Sequence, residues 1–227
     1  MVRRFELPAS SPDRLNVIVA STGSVATIKI PSLLSALVGE GCYNIIYLPS
    51  HTAREFVGPG EIPHPVRTFN DADEWSGWCR GDEVLHIELR KWSHVLLLAP
   101  LSAHTLAKLA HGLSDSLVLE VVRAWDYSPL PTTTTSIATL TPEGGCSNGR
   151  TARRVLGCAP AMNTCMYTHP FTATHLRVLT ETLHFTVLGP VEKTLACGDV
   201  GTGAMVEVRD LVEWLRQVRS EILSPRQ

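Results

Sequence analysis

Val95-Leu96-Leu97-Leu98-Ala99-Pro100-Leu101-Ser102-Ala103-His104-Thr105 decides the fold. A strand with one face in water alternates apolar and polar residues. The unbroken run from Val95 to Pro100 marks instead a strand covered on both faces, which is the condition of a parallel sheet. The hydroxyls that follow it open a helix, with candidates at Leu106–Leu109 and Leu117–Trp125. The same grammar recurs on either side. Leu15 to Ala20 is apolar and ends in Ser21-Thr22-Gly23-Ser24, and a helical pattern then runs through Val25, Ile28, Leu33, Leu34 and Leu37 to the stop Gly39-Glu40-Gly41. Pro31 belongs in the first turn of that helix or kinks it. Tyr43–Leu48 reads as a strand, Ser50–Val57 as a helix capped by Ser50 or Thr52, and Val84–Trp92 as a helix. Val155–Ala159 is another buried strand, Phe171–Leu183 a helix, Phe185–Leu188 a strand and Val206–Leu223 a closing amphipathic helix. Strands alternating with helices imply an α/β open parallel sheet with helices on both faces.

At 227 residues, 44% hydrophobic and 19% charged, the chain has the make-up of one globular domain with a sizeable core. A formal charge of -2 excludes the basic footprint of a nucleic-acid or membrane-surface binder. Met1 to Arg14 carries Arg3 and Arg4 with no apolar stretch behind them, so it reads as a short disordered lead and not a secretory signal. The domain then runs over 15–223. The six cysteines form no C-x-x-C pair and stand beside no histidine at ligand spacing, so no metal site is expected. Free thiols in a reducing, cytoplasmic setting are the expectation. Residues 58–82 look irregular. Residues 131–151, with four consecutive threonines and Gly144-Gly145, read as a flexible surface insertion.

Three separated segments carry chemistry. Ala159-Pro160-Ala161-Met162-Asn163-Thr164-Cys165-Met166-Tyr167 closes a buried strand with a proline and a polar amide. Leu195-Ala196-Cys197-Gly198-Asp199-Val200-Gly201-Thr202-Gly203-Ala204-Met205 sets a thiol among glycines, in a stretch too Gly-rich for a helix or a buried strand. His86-Ile87-Glu88-Leu89-Arg90 puts His86 and Arg90 on one helix face, and histidine exchanges protons near neutral pH. Two strand-to-helix junctions, Ser21–Val25 and Pro100–Thr105, are potential anion sites, although an ordinary N-cap reads equally well at the first. Neither is a G-x-G-x-x-G loop, so a single phosphate suits them better than a dinucleotide.

Together these segments resemble the flavin-dependent cysteine decarboxylases. The likeness runs from about Leu15 to about Trp214 and is broken by the 131–151 insertion. It implies a single-domain flavodoxin-like (Rossmann-like) flavoprotein that binds FMN through Gly23, Ser24, Val25, Ser50, Thr52, Ser102, Ala103, His104, Thr105 and Ala161. It implies catalytic roles for His86, Asn163 and Cys197, with Asn163 holding the substrate's cysteinyl carboxylate and Cys197 donating a late proton from a mobile lid. Substrate contacts are implied for Asn163, Met166, Thr194, Ala196 and Met205. The implied reaction is decarboxylation of 4'-phosphopantothenoylcysteine to 4'-phosphopantetheine in coenzyme A synthesis, by a homo-oligomer, a trimer in the family, with active sites between subunits. A regulatory subunit of a protein phosphatase and a peptidyl-cysteine decarboxylase share these motifs and stay open as alternatives. His104 stands where the family usually has Asn, and Tyr167 where it commonly has Trp.

Overall fold

A computed structural model describes residues 4–127, 154–194 and 200–223. Strand β1 (Leu15–Ser21) leads through a 3-10 turn (Val25–Lys29) into α1 (Ile30–Glu40), then β2 (Tyr43–Pro49). A 3-10 turn (Thr52–Glu55), the short β3 (Arg67–Thr68) and α2 (Asp71–Trp75) precede α3 (Leu85–Trp92) and β4 (Val95–Leu101). Helices α4 (Ala103–Ala110) and α5 (Leu117–Arg123) follow, then β5 (Val155–Pro160), α6 (Thr164–Tyr167), α7 (Pro170–Arg177) and β6 (Phe185–Val187). Strands β7 (Val191–Thr194) and β8 (Val200–Ala204) and helix α8 (Val208–Leu223) complete the described chain.

The main sheet runs β3-β2-β1-β4-β5-β6, and every pairing in it is parallel. Alternation across the pleat explains why its central strands carry no polar face. Val17, Val19, Val95, Leu97 and Ala99 pack toward α1 and α8, against Leu33, Leu37, Leu211 and Leu215. Ile18, Ala20, Leu96 and Leu98 pack on the other side, against Leu85, Leu89, Leu106 and Val121. Each fully buried leucine contributes about 2 kcal/mol over an exposed one. Gly157 in β5 lies under the Trp214 ring of α8, and a methyl group there would collide with the indole. Among the described residues no helix is long and apolar enough to cross a membrane.

Several expectations are corrected. The Ser50–Val57 helix is only the 3-10 turn at Thr52–Glu55, with Ser50 Oγ accepting from Ala53 N at 3.3 Å. The helix after β1 begins as a 3-10 turn and becomes regular only at Ile30, with Pro31 in its first turn, where a missing N–H costs nothing. One strand does form in the Gly-rich segment: β8 pairs antiparallel with β7, just before the segment, as a ribbon outside the main sheet. The lead expected to lack order lies against the domain from Phe5 to Ser10. Phe5 N donates to Glu83, Trp92 Nε1 donates to Pro8 O at 2.8 Å, and Asn44 Nδ2 donates to Ala9 O at 3.0 Å. The 131–151 insertion lies outside the described residues.

Candidate functional site

The strand order reverses between β1 and β4, so the connections leave these neighbours in opposite directions and a crevice opens beyond their carboxyl ends. Both FMN junctions expected from the sequence meet there. Thr22 is the buried stitch: its N–H and its Oγ1 both donate to Pro100 O, at 3.1 and 2.9 Å, and Ser102 N donates to Thr22 Oγ1 at 2.7 Å. Ser50 N donates to Ser21 O at 2.9 Å and Ala161 N to Leu101 O at 3.0 Å, which ties the ends of β2 and β5 to the same edge.

Gly23 faces Thr52, and a Cβ at position 23 would stand 3.0 Å from Thr52 Cγ2. Any side chain there would close the gap between the β1 and β2 loops, so the glycine keeps a cradle open. Ser24 Oγ caps the 3-10 turn by accepting from Ala26 N at 3.4 Å. Ser102 Oγ accepts from Thr105 N at 3.3 Å, which leaves the first N–H groups of α4, at Ala103 and His104, with no acceptor inside the helix. Exposed Val25 and Ile28, 47% and 60% accessible, border the cradle. Orphan N–H groups and hydroxyls beside an apolar rim are the donor set that a phosphate joined to a flat apolar ring requires.

Asn163 caps α6, its Oδ1 accepting from Met166 N at 2.8 Å. With the oxygen committed, the exposed amide presents its NH2 outward, a neutral donor for a carboxylate. The β7–β8 ribbon is pressed onto this turn. Met162 N donates to Gly203 O at 3.0 Å, Gly203 has φ +140°, and a Cβ there would strike the Met162 carbonyl. Cys197 and Ala196 fall in the connection 195–199 between Thr194 and Val200, outside the described residues, and the Thr194 side chain lies outside them too. Met166 is 47% exposed beside Asn163. Met205 is a correction: at 1% exposure it packs into the apolar core with Val206 and Leu211, so it anchors the ribbon and does not face the surface. Cys158, buried in β5, has its thiol pushed up to about 12 by desolvation and is an inert core residue. Gly203→Ala is expected to destabilise the fold by about 2 kcal/mol, from left-handed strain and the carbonyl clash together. That corresponds to a thermal midpoint lower by roughly 4–8 °C for a domain of this size; an unchanged melting curve would refute the packing argument.

His86 sits in the first turn of α3. A helix leading into a parallel strand runs antiparallel to it, so that turn is the end of α3 directed toward the strands' carboxyl ends. The described contacts of His86 are not with the β1–β4 crevice but with acids from two other helices. His86 Nδ1 is in direct hydrogen-bond contact with Glu74 Oε1, which also accepts from His86 N at 3.3 Å, and Glu120 Oε2 lies 3.6 Å from Nδ1. The Trp75 ring stands edge-on, 6.4 Å away. The Glu120 carboxyl is raised to about 8, first by desolvation and then by its hydrogen bond and charge repulsion with Glu74, with Asp71 adding to it. Glu74, His86 and Glu120 bring possible ligand atoms within 4.8 Å of one another. The group is held together by the hydrogen bond between His86 Nδ1 and Glu74 Oε1. Neither acid is marked out by the sequence. Glu74 lies in the run Asp71-Ala72-Asp73-Glu74, which looks like a solvated face, and partners from three helices leave no spacing signal.

The comparisons agree with this architecture. The family model described as Flavoprotein matches residues 7–220. A probable phosphopantothenoylcysteine decarboxylase of Arabidopsis thaliana is 42% identical over 192 residues, covering 84% of this chain and 82% of the relative. A phosphopantothenoylcysteine decarboxylase of Mus musculus is 37% identical over 218 residues, covering 94% and 93%. Among solved structures, a PPC decarboxylase mutant complexed with pantothenoylaminoethenethiol superposes with a TM-score of 0.76 at 38% identity, over 90% of this chain and 97% of that one. The FMN binding protein AtHal3 gives 0.73 at 38% identity, over 90% and 96%.

Proposed function

The chain belongs to the flavoprotein family, and from that premise we propose that it is an FMN-dependent decarboxylase converting 4'-phosphopantothenoylcysteine to 4'-phosphopantetheine. The observation that carries this reading is the seating of the β7–β8 ribbon on the Asn163 turn, which joins the segment bearing Cys197 to the segment bearing the amide. Gly23, Ser24, Ser102, Ala103, His104 and Thr105 would hold the FMN phosphate and its ring edge at the β1–β4 crevice. When bound, FMN supplies a reversible two-electron acceptor next to the substrate carbon that bears sulfur.

The remaining work falls to side chains. Asn163 Nδ2 donates to the substrate's carboxylate and orients it without a positive charge that would hold the carboxylate back from leaving as CO2. His86, whose Nδ1 is engaged by Glu74, offers Nε2 for the proton released in the first step. Cys197 Sγ gives the proton that completes the product after CO2 has left.

His86 and Asn163 share no described contact, and Val25, Ile28, Met166 and Phe171 leave apolar surface open near the crevice edge and the Asn163 turn. A second copy of the chain covering that edge would complete the site, so the working form is taken as a homo-oligomer, a trimer, in a cytoplasmic setting that suits its free thiols. The test is to purify the protein, record its visible absorbance, identify the cofactor released on denaturation and measure the native mass. Released FMN, a mass three times 24.8 kDa and CO2 from phosphopantothenoylcysteine are the expected results. A colourless protein that cannot be reconstituted with FMN would sink the reading.

A further inference from the structure

A carboxylate that is almost wholly desolvated is costly unless paired and hydrogen-bonded. Glu74 is such a group, 1% exposed on a helix of five residues. The fold spends local order on placing it: Asn70 and Asp73 form a reciprocal capping box that fixes the start of α2, with Asn70 N donating to Asp73 Oδ2 at 2.8 Å. Asp71 Oδ1 then accepts from Leu117 N at 2.7 Å, which ties α2 to the first turn of α5, the helix that carries Glu120. The two acids therefore arrive at His86 from separately anchored helices.

One use of Glu74 is structural. Helix α3 has Val84 at its N-cap with no side-chain cap, and Glu74 Oε1 accepts from the His86 backbone N–H in its place. That duty needs an oxygen but no charge, and it does not need contact with the ring. The contact with Nδ1, and the second carboxyl 3.6 Å from the same nitrogen, are left over. With Nδ1 taken, Nε2 is the one ring nitrogen free for a substrate, and the side chain is 18% exposed.

We infer that Glu74 and Glu120 are positioning residues of the decarboxylation: Glu74 accepts the Nδ1 proton of His86 and so fixes the tautomer that presents Nε2 to the substrate, while Glu120, with Oε2 3.6 Å from the same nitrogen, flanks that contact from α5. The logic is that of a carboxylate orienting a catalytic imidazole, where replacement by the amide disturbs the tautomer more than the packing. The raised titration of Glu120 accords with this, since two ionised carboxylates cannot share so small a desolvated space. Among the described residues, the charged groups in contact with the ring are Glu74 from α2 and Glu120 from α5; Asp71 of α2 acts on Glu120, and Arg90 stands one turn along α3.

This inference rests on the decarboxylase reading, and its test separates the two. The holoprotein is labelled with 15N at histidine, and the His86 ring signals, assigned by comparison with His86→Asn, are followed from pH 5 to 9 beside steady-state kinetics with phosphopantothenoylcysteine. In the parent, Nδ1 carries the proton at neutral pH, and the ring signals step near pH 8 as charge appears at Glu120. Glu74→Gln keeps the oxygen that caps α3 but mixes the tautomers, and lowers kcat by about 10- to 100-fold with KM within about twofold. Glu120→Gln has no proton to lose and abolishes the step near pH 8. Parent turnover with an unchanged kcat in Glu74→Gln overturns the inference alone, as does a parent ring protonated at Nε2 or lacking the pH 8 step. Absence of turnover in the parent overturns the decarboxylase reading and this inference with it. Should Glu74→Gln fail to fold, the tautomer and the pH step of the parent decide the matter by themselves.

Discussion

Asn163→Asp lowers kcat/KM for phosphopantothenoylcysteine by about a thousandfold while flavin content and folding stay as in the parent. Aspartate caps a helix as well as asparagine does, so Oδ1 still accepts from Met166 N and the turn under the β7–β8 ribbon survives. What changes is the outward group. A neutral donor becomes a carboxylate facing the substrate's own carboxylate. Two like charges about 4 Å apart at an effective dielectric near 20 repel by about 4 kcal/mol, and each 1.4 kcal/mol is about tenfold in rate. Steady-state kinetics and the flavin-to-protein ratio check the result. Activity within about tenfold of the parent would remove Asn163 from the carboxylate's path.

Cys197→Ser separates the two halves of the reaction. Its expected signature is CO2 release in a single turnover close to that of the parent, with formation of phosphopantetheine slower by roughly 10²–10⁴-fold. The thiol has an unperturbed pKa of ~8.5 and a serine hydroxyl is a far weaker acid, so the loss falls on the last proton transfer. His86→Asn behaves differently. It removes the group poised for the first proton, and CO2 release and product formation fall together. The measurement is trapped CO2 and product from one pre-mixed turnover of each variant. If CO2 release collapses in Cys197→Ser as it does in His86→Asn, the thiol has no distinct late role.

The apolar run from Val95 to Pro100 and its counterparts at Leu15–Ala20 and Val155–Ala159 were enough, as sequence, to require a parallel sheet covered on both faces. A strand that must bury both sides cannot carry a polar period. The junction residues Thr22–Ser24 and Ser102–Thr105 and the helix bearing His86 follow from the same local rules, because caps, turns and helical spacing are properties of neighbours in sequence. Tertiary structure decided the rest. Nothing in residues 50–57 says that the helix stops after one 3-10 turn, and nothing in Gly201-Thr202-Gly203 says that it pairs with Val191–Thr194 and rests on the Met162 carbonyl. Met205 reads as a pocket residue until the α8 side of the core is seen to cover it. Glu74 reads as solvent-facing until α3 and α5 close around it and leave His86 as its partner. The physical division is one of range. Backbone hydrogen bonds and pleat alternation are settled within a few residues, whereas desolvation, and with it the charge state of Glu120 and the pairing of His86, depends on which distant helices happen to meet.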